Sequence, residues 1–335
     1  MAAALRRDRL DEAARLISER AASGEVAGAV LHVRSGGESL ERAFGEARTP
    51  QAVFLLASIT KPMTATAVMI LADRGALSLD DPVQKFIPEF RGGERARVII
   101  RHLVTHTSGL PDMLPEDQDL RKRHAPLSDF VAATCRTPLL FPPGAKVQYQ
   151  SMGVLLAGEI VERITRRPLR EFLRREVFEP LGMSDTSLGL GGRKIPQTMR
   201  SQVDRQTDWD WNSAYWRDLG SPWGGAHSTA GNVSRFLRYF VRPQPPILKP
   251  ATAAAMIVNQ NQGLKEAYGF GWRISGTSAG KGCSPRTFGH TGSTGTMAWM
   301  DPERDLSFVL LTTRPLAVSR KMLLQPVSDL AAASS

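Results

Sequence analysis

Apolar positions along the chain follow two rhythms. Near the start, Leu5, Leu10, Ala13, Ala14 and Ile17 recur at helical spacing and form one stripe of an amphipathic helix whose other side is arginine and acid. From Val26 the rhythm shortens. Residues 26–34 and 38–44 read as two strands joined at Ser35-Gly36-Gly37, a hairpin signal. Residues 53–57 lead into the apolar run 59–71, which stops at Asp73-Arg74-Gly75 with glycine where a helix C-terminus favours it. A run with no polar side predicts a buried helix. From about residue 95 to about residue 225 the period is helical, most clearly over 152–164 and 169–178, without alternating strand patterns. Strand patterns return over 268–274, 286–290, 296–300 and 306–312, before a last helical stretch from Arg320. Strands at both ends with helices between predict an antiparallel sheet built from both termini and a helical insertion packed against it.

Composition narrows the class. A chain of 335 residues that is 42% hydrophobic, with 29 Gly and 22 Pro, excludes a disordered or collagen-like protein. The balance of 43 Lys and Arg against 33 Asp and Glu gives a net charge of +10 and raises the question of nucleic acid. The densest basic cluster, Arg163, Arg166, Arg167, Arg170, Arg174 and Arg175, is interleaved with Glu159, Glu162, Glu171 and Glu176 at helical spacing. That is the pattern of a salt-bridged, solvated helix face, so no nucleic-acid partner is expected. Cys135 and Cys283 stand too far apart for a disulfide framework or a zinc cluster and are expected to be free buried thiols. Charged residues interrupt every apolar run near the N-terminus, and no stretch approaches the ~18 apolar residues that span a bilayer. The expectation is a soluble cytoplasmic protein with no signal peptide and no membrane partner.

Nucleophile patterns come next. The elbow Gly-x-Ser-x-Gly is absent; its nearest imitation, Ala226-His227-Ser228-Thr229-Ala230, lacks the glycines that the strained turn requires. Ser-x-x-Lys occurs twice. Ser278 and Lys281 lie in a Gly/Ser-rich stretch expected to be a loop, where nothing would hold the lysine over the hydroxyl. Ser58 opens the apolar helix, so Lys61 shares its face, and Pro62 falls in the first turn where its missing N–H is harmless. Apolar flanks would lower the Lys61 pKa and make it a base, and the amides of a helix start favour a developing oxyanion. Read locally, Ser58 is equally an N-cap and Lys61 equally a surface residue.

Two further segments could complete a site. Pro142-Pro143-Gly144 delivers the chain to Tyr149, with Ser151 placed to cap the helix that begins at Met152. A phenol there is a possible proton shuttle, or a half-buried core residue. In Phe288-Gly289-His290-Thr291-Gly292-Ser293 a strand ends in small residues that admit a ligand against its edge, or simply turn. His102 and His106 have metal-ligand spacing, but Leu103 stands where a metalloprotease carries Glu and no third ligand is near, so no metal is expected. Trp209, Trp211, Trp216 and Trp223, with Tyr215, form either a core anchor or the lining of a cleft.

Together and in this order, the three motifs resemble the serine β-lactamase, penicillin-binding protein and family VIII carboxylesterase superfamily, which carries Ser-x-x-Lys, Tyr-x-Asn and Lys/His-Thr/Ser-Gly. The likeness extends to ALSLDDPV, RHLVTHTSGLP, FPPG, FEPLGM, GGAHSTAGNVSRFL and YGFGW, which look like the class C-like branch and are closest in type to family VIII esterases. The resemblance implies an α+β, β-lactamase/transpeptidase-like fold: an antiparallel sheet flanked by helices, formed by residues 1–95 and 225–335, with a mostly helical domain at 96–224 and the active site between them. It implies Ser58 as nucleophile, Lys61 as its base, Tyr149 as proton donor to the leaving group, and the amides of Ser58 and Ser293 as the oxyanion hole. His290, Ser151, Gly292, Trp216 and Trp223 would bind substrate, with no cofactor. Two departures separate this chain from β-lactamases: Ser151 stands where the second motif has Asn, and His290 where the third has Lys, so the charge that meets a carboxylate is weakened or pH-dependent. The implied function is a carboxylesterase acting on small esters through an acyl-enzyme. D-aminopeptidase, D,D-peptidase or weak β-lactamase activity is the alternative within the class, and a non-catalytic penicillin-binding or sensor protein the alternative outside it.

Overall fold

Strands β1 (Gly28–Ser35) and β2 (Glu38–Gly45) form a hairpin whose turn falls on Gly36 and Gly37. The computed structural model describes residues 5–274 and 276–335, the side chains of Thr277 and Ser278 excepted. Strands β3 (Phe54–Leu55), β4 (Ser187–Leu188) and β5 (Ala226–Ser228) make a small sheet. After β6 (Arg273–Ile274) come β7 (Phe288–Gly292), β8 (Thr296–Asp301) and β9 (Leu306–Thr312). The main sheet has the order β2-β1-β9-β8-β7-β6 and is antiparallel throughout, so the last long strand pairs with the first and both ends of the chain meet in one sheet.

Both faces of this sheet are covered, and side-chain alternation divides two cores. Ala29, Leu31 and Val33 of β1, with Phe308 and Leu310 of β9, pack under helix α1 (Arg7–Ala22) and the C-terminal helix Gln325–Ala332. The expected stripe of α1, from Leu5 to Ile17, is buried there. Val30, Val309 and Leu311 face the other way, into the larger core that holds helix α2 (Thr60–Asp73) and the helices of the insertion. Every residue of α2 from Thr60 to Leu71 is buried, which is why its sequence lacks a polar side. It lies against helix Met152–Thr165, with the Ser58 turn at its N-terminal end.

Four expectations change. The strand expected at 268–274 shrinks to β6, because Gly271 at φ 80° reverses the chain and lets the Gly269 amide donate to the Trp272 carbonyl at 2.8 Å. Within the stretch expected to be mostly helical and without alternating strand patterns, β4 forms a strand too short to show a period. Residues Gly276–Ala279 form one helical turn where a loop was expected, while the Ser278 side chain lies outside the described residues. Cys135 is buried but Cys283 only half-buried, both as free thiols. The basic cluster is a paired face: Arg163 bridges Glu159 and Glu89, and Arg175 bridges Glu171. Among the described residues, no helix is long and apolar enough to cross a membrane.

Candidate active site

Ser58 sits in the 3-10 turn Ala57–Ile59 between β3 and α2. Ala57 is held at φ 49°, a left-handed conformation that a residue with a Cβ rarely adopts, so the turn is a local strain point. What holds it is a ring of hydrogen bonds. The Leu56 amide donates to the Ala226 carbonyl at 2.8 Å, and the Thr60 hydroxyl donates to the Ala57 carbonyl at 2.7 Å while accepting from the Ala226 amide at 3.0 Å. One helical turn on, Lys61 is 1% exposed, with Nζ 3.1 Å from Ser58 Oγ and donating to the Trp223 carbonyl at 3.0 Å. Burial strips water from the ammonium and lowers its pKa to about 7, against an opposing pull from the Asp112 carboxylate. Lys61 is therefore no surface residue, and Ser58 makes no side-chain cap.

Tyr149 reaches the same point from the other side. Its hydroxyl is hydrogen-bonded to the Ser58 side chain, and Lys61 Nζ stands 4.7 Å from its ring centre. Burial pushes the phenol well above its usual range, so it is protonated at any working pH. The residues around it explain how it is fixed. Gln150 turns inward and is fully buried: its amide donates to His106 Nδ1 at 3.2 Å, its Nε2 donates to the His102 carbonyl at 3.0 Å, and it accepts from Ser108 at 2.5 Å. His106, with its ring 4.9 Å from that of Tyr149, backs the phenol. The pair His102 and His106 thus serves the hydrogen bonding of the Tyr149 segment. Ser151 does not cap the helix at Met152; its hydroxyl donates to Asp112 Oδ1 at 2.6 Å.

The third segment closes the site from the sheet. His290 Nδ1 and the Thr291 carbonyl are 2.7 Å apart, which makes Nδ1 the protonated nitrogen of a neutral ring. Burial, reinforced by Lys61, lowers the His290 pKa to about 3, so of the two expectations for this position, a weakened or a pH-dependent charge, the weakened one holds across the neutral range. The Thr294 hydroxyl donates to the Leu55 carbonyl at 2.7 Å and that of Thr296 to the Leu56 carbonyl at 2.8 Å, tying the segment to the chain that leads into the Ser58 turn. Gly292, expected to meet substrate, is part of this seam and does not line the cavity. Ser58 and Ser293 both border the cavity, and among the described residues no hydrogen bond engages either backbone amide.

These residues open onto one cavity of about 580 Å³. Trp211, Trp216 and Trp223 form an apolar wall with Met113, while Trp209 lies outside it and Tyr215 stacks on His124 away from it. The buried Arg217 holds this aromatic segment, donating to the carbonyls of Trp211 and Met199 at 2.9 and 2.8 Å. Four charged groups that the motifs did not show also line the cavity, Asp112, Arg121, Arg273 and Arg320. Arg273 lies on β6 opposite Gly289, the residue before His290, and donates to the Tyr268 hydroxyl at 2.9 Å. Asp112 directly follows the RHLVTHTSGLP block and Arg273 directly follows YGFGW, so each stood one position beyond a quoted motif.

Comparisons with known proteins bear on the family and the fold. A family model described as Beta-lactamase matches residues 13–331. Esterase EstB of Burkholderia gladioli is 30% identical over 345 residues, covering 88% of this chain and 87% of its own length. A putative D-alanyl-D-alanine carboxypeptidase of Escherichia coli (strain K12) is 27% identical over 363 residues, covering 92% of this chain and 83% of its own. Among solved structures, EstCE1, described as a hydrolase with promiscuous acyltransferase activity, matches with a TM-score of 0.80 at 22% identity, over 97% of this chain and 99% of that one.

Proposed function

The chain belongs to the beta-lactamase family and has its transpeptidase-like fold, and on that premise we propose that it is a serine hydrolase that cleaves small esters through an acyl-enzyme. The observation that carries this reading is Lys61, buried, with its pKa lowered to about 7, and 3.1 Å from Ser58 Oγ. A neutral lysine has a lone pair for the serine proton, whereas an ordinary exposed lysine does not.

In this reading Ser58 Oγ attacks the ester carbonyl as its proton passes to Lys61. The oxyanion forms between the amides of Ser58 and Ser293. Tyr149, protonated because its ionised form is so costly, gives its proton to the departing alkoxide and is reprotonated from Lys61. Water then attacks the acyl group, its proton goes to the Tyr149 and Lys61 pair, and Ser58 leaves with a proton. The tryptophan wall favours apolar or aromatic acyl groups. The partner is a small-molecule ester, and EstB, named an esterase, is the relative that supports this reading. A burst of p-nitrophenol from p-nitrophenyl acetate, lost in Ser58→Ala, is the expected result; full activity in that variant refutes the nucleophile.

One observation favours a second reading, a D,D-carboxypeptidase or D-aminopeptidase. Arg273 supplies beside His290 the fixed positive charge that the third motif lacks, and a guanidinium suits a substrate carboxylate. Turnover of a D-Ala-D-Ala peptide faster than of small esters supports it, and a persistent mass adduct with penicillin without turnover supports a sensor instead.

A further inference from the structure

Arg217 is a fully buried charge that the proposed mechanism does not use. It is 0% exposed and, among the described residues, pairs with no carboxylate; its partners are all neutral oxygens. Nε donates to the Trp211 carbonyl at 2.9 Å, Nη2 to the Met199 carbonyl at 2.8 Å and to Asn212 Oδ1 at 3.0 Å, and Nη1 to the Thr198 hydroxyl. Burial, with Arg200 nearby, lowers its pKa to about 10, which still leaves it a cation at neutral pH. A buried charge without a counter-ion is costly, and an apolar side chain of the same length would be the more stable choice unless the four oxygens need donors. They do, because residues 198–213 run without a helix or strand that could pair them.

We propose that Arg217 is the positioning residue of the acyl pocket, holding the wall of Trp211 and Trp216 at a fixed distance from Ser58 and so setting which acyl groups the site accepts. This rests on the serine hydrolase reading above and deepens it.

The guanidinium stands where the aromatic wall, the strand before Ser58 and the main sheet meet. Trp216 and Arg217 are consecutive on the helix Ala214–Leu219, about 100° apart around its axis, so Trp216 lines the cavity while the next side chain turns back into the protein. From there Arg217 binds the Trp211 carbonyl on the wall and the Met199 carbonyl behind it, and the Met199 amide donates to the Val53 carbonyl at 2.8 Å, one residue before β3. Asn212, whose Oδ1 accepts from Arg217, also bonds both backbone groups of Ser201 at 2.8 Å. The next residue, Gln202, accepts from the Ala27 amide at 2.9 Å and the Thr313 hydroxyl at 2.8 Å, beside the ends of β1 and β9. The fork is therefore shared between the wall and its support. A rigid planar group with five N–H donors holds four oxygens at once, which a lysine, with three donors at one point, cannot. Without it Trp211 and Trp216 keep their apolar surface but lose the support that sets their depth, and a displacement of about 1 Å in such a wall costs up to about 100-fold for an acyl group that depends on it.

The test compares two p-nitrophenyl esters that share a leaving group, the 3-phenylpropanoyl ester, whose ring reaches the wall, and the acetyl ester, whose methyl does not. The readout is the ratio of their kcat/KM values, in which any effect on Ser58, Lys61 and Tyr149 common to both esters cancels. The wild type is expected to favour the phenylpropanoyl ester, Arg217→Met to lose about tenfold of that ratio, and Arg217→Lys to keep part of it. Thr198→Val removes one acceptor without opening a hole and serves where Arg217→Met does not fold; it is expected to move the ratio the same way by about threefold. A wild-type ratio at or below unity, or a ratio that the folded variants leave unchanged even where both rates fall, overturns the proposal. Tryptophan fluorescence titration with 3-phenylpropanamide, on Ser58→Ala with and without the Arg217→Met change (or Thr198→Val in its place), reads the pocket without turnover. If neither ester is hydrolysed but the second change weakens this binding by about threefold or more, the hydrolase reading fails while the role of Arg217 stands; if binding is the same in both, the role fails.

Discussion

Gly292 packs so closely on the Leu56–Ala57 backbone that a Cβ there would stand 2.2 Å from the carbonyl oxygen of Leu56, with the Ala57 Cβ 3.1 Å away. The seam between β7 and the strained turn at Ala57 thus tolerates no side chain, and it sets the distance between the two amides that would hold the oxyanion. Gly292→Ala has to push the Ser293 amide away from Ser58. The expected outcome is a fall in kcat of about 100-fold with a much smaller change in KM, as for loss of an oxyanion donor. A melting curve measured in parallel separates this from simple unfolding, and an unchanged kcat in a folded variant refutes the seam as a catalytic spacer.

Tyr149→Phe keeps the ring that packs on His106 and removes only the hydroxyl hydrogen-bonded to Ser58. Loss of a general acid costs about 100-fold to 10,000-fold in rate. The loss should be greatest for esters with poor leaving groups and least for p-nitrophenyl esters, whose phenolate leaves without a proton. Equal losses across leaving groups, from a set of alkyl and aryl acetates, would assign Tyr149 to packing instead.

Long elements and contiguous motifs were legible in the sequence. Helix α2 announced itself by twelve buried positions in a row, and β1, β8 and β9 by alternation that the two cores then used. The Ser58 to Lys61 spacing needed only one helical turn to become a contact. What escaped were relationships made in space by short or irregular segments. Arg273 gained its place from a reversal at Gly271 inside an apparent strand, and Asp112 from a loop with no period. Ser151 looked like a helix cap because the preference for that position is local, but the nearby carboxylate outcompeted the helix amides. Likewise, the residue type at His290 left a weakened or a pH-dependent charge open, and only its burial beside Lys61, which makes the charged form costly, decides for the weakened one.

The aromatic wall yields a stability and specificity test. Trp216 and Trp223 are each 4% exposed, with ring centres 6.3 Å apart. Replacing either by alanine should cost about 3–5 kcal/mol of stability. In variants that remain folded, the preference among p-nitrophenyl esters of graded acyl length should shift toward longer or bulkier groups that fill the new space. An unchanged rank order in both variants removes these residues from acyl recognition and leaves them as core.

The pH profile tests the base itself. In the proposed mechanism Lys61 works only when neutral, and burial brings its pKa to about 7, so kcat/KM for a neutral ester should rise with pH through a single ionisation near that value and then level off. The sign follows from which form works: below the pKa the ammonium has no lone pair, above it the serine proton has somewhere to go. No other group of the site should add a limb in this window, because His290 is held neutral down to about 3 and the Tyr149 phenol is pushed far above it. Asp112 opposes the shift, since its negative charge favours the ammonium, so Asp112→Asn should move the limb to lower pH. Lys61→Arg keeps a cation in place but with a far higher pKa, and it should be nearly inactive with no limb between pH 5 and 9. A rising limb near neutrality that survives in Lys61→Arg would identify a different base.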